Sequence, residues 1–276
     1  MPFIADGRTL IRHAFVHGYA LPAFNICSLE MAQGCIDAAR ELSAPILLQT
    51  YQADLSFAAP AVMVSMVRAI AEAAAVPVGL HLDHGINQDV VLECLKAGYS
   101  SVMLDGSTMN FLDLCASTLE LAQLASSYQA GLEVSAERFN KGESAPTDPE
   151  EALRLREAGA DMIACSVGSE HGQTSRLDLA RLEQIAKRVQ APLVLHGGSG
   201  INHADVQAAI ALGVVKINVG SALYRALLGV WQNSSQHTSH RQVYTQSRAA
   251  IAEVAKHYIQ LFAAHKGEKY ELSQSA

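Results

Sequence analysis

The chain carries little charge, and what it has is not basic. Only 17% of its 276 residues are charged, and 27 acids outnumber 20 bases for a formal charge of −7. That balance lacks the basic surface that a nucleic-acid backbone requires, so nucleic acid is excluded as a partner. No apolar run reaches the roughly 18 to 20 residues of a membrane-spanning helix, so no membrane partner is expected. The opening residues MPFIADGRTLIRH put Asp6 and other polar groups where a secretory signal would be apolar. Five cysteines, Cys27, Cys35, Cys94, Cys115 and Cys165, are odd in number, far apart and without a C-x-x-C pair. Buried reduced thiols in a cytoplasmic protein are the expectation. A G-x-G-x-x-G after the first strand is missing too, which weakens the case for a doubly wound dinucleotide fold.

What is present is apolar material in a regular rhythm. Half of the residues are hydrophobic, enough to bury a large core. Eight short apolar runs, at 21–26, 45–51, 77–84, 101–106, 131–137, 162–168, 193–198 and 215–220, alternate with segments of helical periodicity. Several are apolar on both faces, as buried parallel strands are, and each crossover is long enough for a helix. Eight such units in about 230 residues is the size of a TIM barrel. The expected fold is therefore α/β, one (β/α)8 barrel domain over residues 1–276, with an additional C-terminal helix over Gln242–His265. The polar stretch Phe139–Asp148 follows the fifth strand and reads as a long βα loop rather than a domain boundary.

Active sites of TIM barrels lie at the C-terminal ends of the strands, and unusual polar residues collect there. Strand one ends at Asn25, and strand three runs into His81, Asp83 and His84. Asp105 follows strand four, Glu133 and Glu137 lie on strand five, and Glu170 and His171 follow strand six. His196 ends strand seven and Asn218 strand eight. Three histidines from three strand ends, His84, His171 and His196, are a good zinc set that leaves a position open for substrate. Side chains alternate along a strand, so Asp83 and His84 reach one site only if the chain leaves regular geometry there; Gly85 makes that turn easy. His81 is expected in the core or behind the ligands. The glycine-rich His196-Gly197-Gly198-Ser199-Gly200 and the segment Asn218-Val219-Gly220-Ser221 follow strands seven and eight. That is where TIM barrels build phosphate sites from backbone N–H groups and a helix N-terminus.

At these residues the chain resembles the class II, metal-dependent ketose-bisphosphate aldolases, of the tagatose or fructose bisphosphate type. Ala23-Phe24-Asn25, His81-Leu82-Asp83-His84-Gly85, Ser101 to Ser107, His171-Gly172, His196 to Gly200 and Lys216-Ile217-Asn218 carry the resemblance, which runs from about Leu10 to Ala255. It implies one Zn2+ per chain held by His84, His171 and His196, with Asp83 as acid/base on the hydroxyl next to the scissile bond. Asn25, Gly172, Gly197 to Ser199 and Asn218 to Ser221 are implied to bind the phosphate and hydroxyls of dihydroxyacetone phosphate. Asp105 and Glu133 stand behind the ligands. A monovalent cation, Na+ or K+, near the phosphate and a homodimer or homotetramer are further implications. The substrate would be a phosphorylated sugar, tagatose or fructose 1,6-bisphosphate or a close analogue. A Schiff-base role for Lys216 is disfavoured, since its parity sets it with Asn218 and its family counterpart is not catalytic.

The chain departs from the family on strand five. There it reads Glu133-Val134-Ser135-Ala136-Glu137, and Ser135 replaces a carboxylate associated with a second metal position. The next loop offers Lys141-Gly142-Glu143-Ser144, in which Glu143, with Glu137 behind it, would exchange the proton on the dihydroxyacetone phosphate carbon. Two alternatives stay open: a catalytically silent subunit that keeps both pockets, and a zinc lyase with a different aldehyde partner.

Overall fold

The computed structural model describes residues 3–135, 138–140, 143–169 and 175–269. In chain order its strands are β1 (Leu21–Asn25), β2 (Ile46–Tyr51), β3 (Val78–Gly85), β4 (Ser101–Leu104), β5 (Gly131–Ser135), β6 (Arg138–Asn140), β7 (Glu143–Ala145), β8 (Met162–Ala164), β9 (Leu193–Leu195) and β10 (Val214–Val219). Eight of these, all but β6 and β7, close into a parallel barrel in the order β1-β2-β3-β4-β5-β8-β9-β10 and back to β1. The expected TIM barrel is the observed fold. Its strands are buried on both faces, as β1 and β10 illustrate with every residue buried. No helix among the described residues is long and apolar enough to cross a membrane.

The helices are α1 (Gly7–His17), α2 (Leu29–Glu41), α3 (Pro60–Glu72), α4 (Gln88–Ala97), α5 (Phe111–Ser127), α6 (Pro149–Glu157), α7 (Leu179–Val189), α8 (His203–Ala211), α9 (Ser221–Gln232) and α10 (His240–Leu261). Local chemistry sets where they begin. Asn87 caps α4 through Val90 N, and Asp148 caps α6 with Pro149 at its first position. Ser239 and Gln242 form a reciprocal capping box on α10.

Three elements differ from the sequence expectation. First, α1 was not anticipated; it packs against β1, β3 and β10, burying Leu10, Ile11 and Ala14 against their N-terminal ends. Second, the loop after β5 contains the antiparallel hairpin β6–β7. Third, the additional helix ends at Leu261 rather than His265, and Ala264–Lys269 continues as a 3-10 turn.

The additional helix is fastened to α2. Ile251, Ala255 and Ile259 of α10 are fully buried, and burying each isoleucine contributes roughly 1.5 to 3 kcal/mol. The guanidinium of Arg248 meets Asp37 through two hydrogen bonds, of 2.5 and 2.8 Å. The helices approach so closely that a Cβ at Gly34 would lie 2.6 Å from the Arg248 carbonyl oxygen. In an isolated helix Gly→Ala stabilises by roughly 1 kcal/mol. Here Gly34→Ala is expected to destabilise by about 1 to 3 kcal/mol through overpacking, read as a lower midpoint of urea unfolding. A raised midpoint would show that α10 is not seated on α2.

Candidate active site

The interior of a TIM barrel is ordinarily filled by layers of branched apolar side chains. Near the C-terminal mouth of this barrel one such level is polar. Gln49, His81, Glu133 and Lys216 are all fully inaccessible to solvent. The centre of this group is Glu133. Lys216 Nζ lies 2.9 Å from its Oε2, His81 Nε2 lies 3.4 Å from the same oxygen, and His196 donates from Nε2 to Oε1 at 3.0 Å. Burial alone would raise the Glu133 pKa; the Lys216 ammonium, the bond from His196 and the nearby imidazoles hold it well below the usual carboxylate range. His81, pulled down to about 3 by burial and by Lys216, stays neutral and bonds Ser101 Oγ through Nδ1 at 2.8 Å. It sits behind the site, as expected of it.

From this level two chains of hydrogen bonds converge on Asp83. Lys216 Nζ donates to Asn218 Oδ1 at 2.7 Å, which turns the Asn218 amide so that its Nδ2 donates to Asp83 Oδ1 at 2.9 Å. On the other side Gln49 Nε2 donates to Asn25 Oδ1 at 2.9 Å, and Asn25 Nδ2 donates to Asp83 Oδ2 at 2.8 Å. Each primary amide is thus oriented by a donor behind it, and the carboxylate is gripped at both oxygens. Burial raises the pKa of Asp83, but the charges of His84, His196 and Lys216 and the Asn25 bond outweigh it and leave it lowered. Lys216 is engaged at both Glu133 and Asn218 with no exposed surface, which suits a structural cation and not a Schiff-base nucleophile.

His84 joins Asp83 by breaking the strand. Its φ is +53°, a left-handed conformation that disfavours residues with a Cβ by roughly 1 to 2 kcal/mol, and the β3–β4 register shifts between Leu82 and Gly85. The sequence reading placed the turn at Gly85; the structure places it at His84 itself. Gly85 serves a different need, because a Cβ there would collide with the Met103 carbonyl. The displaced imidazole donates from Nδ1 to Asp105 Oδ2 at 2.8 Å, and its ring centre lies 4.7 Å from that of His196. Burial opposes ionisation of Asp105, yet the bonds from His84 and Ser107 lower its pKa to about 2.

Donor atoms of Asp83, His84 and His196 lie within 4.8 Å of one another. Each imidazole also has a carboxylate on its far nitrogen, Asp105 behind His84 and Glu133 behind His196. That is the usual support for metal-ligating histidines, in which one ring nitrogen meets a carboxylate and the other can face a cation. The residues fit a divalent metal. The third expected ligand, His171, lies outside the described residues, as do Glu170, Gly172, Glu137 and the side chain of Glu143.

The cluster opens into a cleft of about 380 Å³ lined by Asn25, Asp83, His84, Gly197, Ser199, Asn218, Gly220 and Ser221, all of them site residues expected from sequence, together with Tyr51, Asp54 and Tyr224. Gly198 and Val219, next to these residues in the chain, are buried. The first turn of α9 begins at this cleft, with Gly220 before it supplying no side-chain cap; Ala222 N donates to Ser199 Oγ at 3.3 Å. A Cβ at Gly220 would lie 2.9 Å from Asn25 Oδ1, so glycine there leaves room for the amide that holds Asp83. Tyr51, Asp54 and Tyr224 were not anticipated. Tyr51 closes an expected strand at its C-terminal end, so its position was a usable signal; nothing local marks Asp54 or Tyr224, which meet across the end of β1 through a 3.1 Å bond from the phenol to Asp54 Oδ2. Burial raises the pKa of Asp54, the Tyr224 bond lowers it, and nearby Asp83 raises it again, with a net rise.

The family described as Fructose-bisphosphate aldolase class-II matches residues 5–267. The chain belongs to that family. A relative named fructose-bisphosphate aldolase, from Thermus caldophilus, is 31% identical across 94% of this chain and 98% of its own. The YdjI aldolase from Escherichia coli K12 superposes with a TM-score of 0.86 at 28% identity, covering 95% of this chain and 98% of that one. A fructose-1,6-bisphosphate aldolase homologue from Coccidioides immitis shares the fold, with a TM-score of 0.88 at 23% identity over 95% and 97%. This aldolase is accordingly a carbon–carbon lyase, and its family acts on phosphorylated sugars.

The buried ion pair of the aldolase gives a test. Lys216→Met leaves Glu133 charged and buried without its cation and is expected to destabilise by roughly 3 to 5 kcal/mol. Adding Glu133→Gln should recover part of that loss in thermal or chemical unfolding. Equal destabilisation by the two changes, simply summed, would show that the pair does not act as a unit.

Proposed function

We propose that this aldolase reversibly cleaves a phosphorylated ketose to dihydroxyacetone phosphate and an aldehyde, using one zinc ion per chain. The observation that carries this is the clamped Asp83 carboxylate lying beside two imidazoles, each backed by its own carboxylate. Zinc would be held by His84 and His196, with His171 as third ligand, and would supply Lewis acidity toward the ketose oxygens as negative charge develops on them.

Asp83 takes the proton of the C4 hydroxyl in cleavage and returns it in condensation. Its lowered pKa favours release of that proton, and the two amides fix where both oxygens stand, so the base need not search for its partner. The substrate phosphate docks on Gly197, Gly198, Ser199, Val219, Gly220 and Ser221, largely through backbone N–H groups and the start of α9. Glu143, or else Glu137, exchanges the proton on the dihydroxyacetone phosphate carbon. Fructose and tagatose 1,6-bisphosphate, which differ at C4, are the family's reference substrates. Five cysteines without a disulfide fit a reducing compartment such as the cytoplasm. The intact grip on Asp83 speaks against a catalytically silent subunit.

Cleavage of a panel of phosphorylated ketoses, with and without a chelator, tests the proposal. Metal-dependent release of dihydroxyacetone phosphate is expected; none from any ketose would refute it. Asp83→Ala should abolish cleavage while zinc content stays near one per chain, and retained turnover would remove Asp83 from the reaction. Asp105→Asn should weaken metal affinity by about 10- to 100-fold, measured by competition with a fluorescent chelator. Unchanged affinity would detach Asp105 from the metal site.

A further inference from the structure

The far wall of the cleft is not accounted for by the metal cluster or the phosphate loops. It is built from Tyr51 at the end of β2, Asp54 in the 3-10 turn that follows, and Tyr224 one turn into α9. Tyr224 reaches across the end of β1 to donate to Asp54 Oδ2. Among the described residues it is the only side chain that donates to the Asp54 carboxylate, so the second oxygen can accept from a ligand. The Tyr51 ring stands edge-on to His84, 5.6 Å between centroids, next to the reacting centre. It offers an aromatic face of the kind on which the C–H surface of a sugar packs.

Equally telling is the charge of this wall. None of the described residues lining the cleft is lysine or arginine, and the cation beneath it, Lys216, is sealed from solvent and committed to Glu133. One phosphate is served by uncharged groups on the β9 and β10 loops. A second phosphate, at the aldehyde end of a ketose bisphosphate, would meet Asp54 with Asp83 nearby and no lysine or arginine among the described lining residues. Like charges brought together in a cleft penalise binding strongly, and a site can reject a partner by that means as well as by shape.

We infer that Asp54, held by Tyr224, selects a ketose 1-phosphate whose far end is uncharged and hydroxylated, so that the aldehyde product is a non-phosphorylated polyhydroxy aldehyde. The inference rests on the aldolase reaction proposed above. In it Asp54 accepts a hydrogen bond from a hydroxyl of the aldehyde portion, and Tyr51 and Tyr224 line the passage for its carbon chain. Asp54 determines specificity; the bond between C3 of dihydroxyacetone phosphate and the aldehyde carbon is made by the groups around Asp83.

The test is aldol condensation by the zinc-loaded protein. Dihydroxyacetone phosphate is offered with glyceraldehyde or with glyceraldehyde 3-phosphate, and kcat/KM is measured for each aldehyde. The wild type should favour glyceraldehyde by about tenfold or more. Asp54→Asn should shrink that ratio by at least about fivefold, losing rate with glyceraldehyde and gaining it with the phosphorylated aldehyde. Tyr224→Phe should shift the ratio in the same direction but less. A wild-type preference for glyceraldehyde 3-phosphate overturns the inference and leaves the aldolase reading intact. So does an Asp54→Asn protein in which both aldehydes slow equally, since that is the mark of a structural role. No product with either aldehyde, and no exchange of tritium from labelled dihydroxyacetone phosphate, removes the aldolase reading and this inference with it.

Discussion

A single buried carboxylate, Glu133, organises the mouth of this barrel. Alone, an ionised carboxylate with no solvent contact would be prohibitively unstable, and pairing it with Lys216 does no more than offset its desolvation. The pair is therefore a poor explanation for stability and a good one for geometry. Glu133 fixes the tautomer and tilt of His196 through Nε2. Its partner Lys216 fixes the rotation of the Asn218 amide, and that amide fixes Asp83. One charge thus sets both an imidazole that can hold a metal and the orientation of the carboxylate beside it. Had Asn218 been turned over, its carbonyl oxygen would face Asp83 and repel it; the ammonium behind it makes that orientation unfavourable.

The strand order and most strand-end residues were legible in the sequence because they follow from two simple rules. Parallel strands buried on both faces read as apolar runs, and polar residues at their C-terminal ends stand out against them. Asn25, Asp83, His84, His196 and Asn218 were found this way, and the cleft brings all of them but His196 to its lining while His196 joins the donor cluster. Strand parity even required an irregularity between Asp83 and His84. It could not say which residue would bear it, because a glycine is the cheaper host by local energetics. The bond to Asp105 and the closeness of His196 hold the histidine in the costlier conformation, and such contacts are invisible along the chain. Departures of this kind collect where an arrangement is selected for something other than local comfort.

What could not be read was whatever depends on contact between residues far apart in the chain. Gln49 sits in an apolar strand and looks like an isolated polar residue until its bond to Asn25 is seen. Asp54 and Tyr224 are 170 positions apart and lie on opposite sides of β1, joined by one hydrogen bond. The helix α1 was missed for a related reason, since its buried face of Leu10, Ile11 and Ala14 is short and its partner is the underside of the barrel rather than a neighbouring helix.

That underside explains how the mouth can carry so many polar groups. Backbone bonds tie the N-terminal segment to the barrel floor, from Ile4 N to Val78 O and from Gly7 N to Ser100 O. A Cβ at Gly79 would lie 3.1 Å from the Leu10 side chain, so α1 packs tightly there. The lower barrel is closed by apolar contact, and α10 adds a second apolar seam along α2. Buried polar groups are costly unless hydrogen-bonded, and at this mouth the bonds run from Gln49 and Lys216 through two amides to one carboxylate, while Gln49 Oε1 and His81 Nε2 lack a hydrogen-bond partner among the described residues. Rigid support below and a hydrogen-bonded network above are complementary requirements. With the strands anchored from beneath, differences among the loops at the top can alter the wall of the cleft without disturbing the groups that hold Asp83.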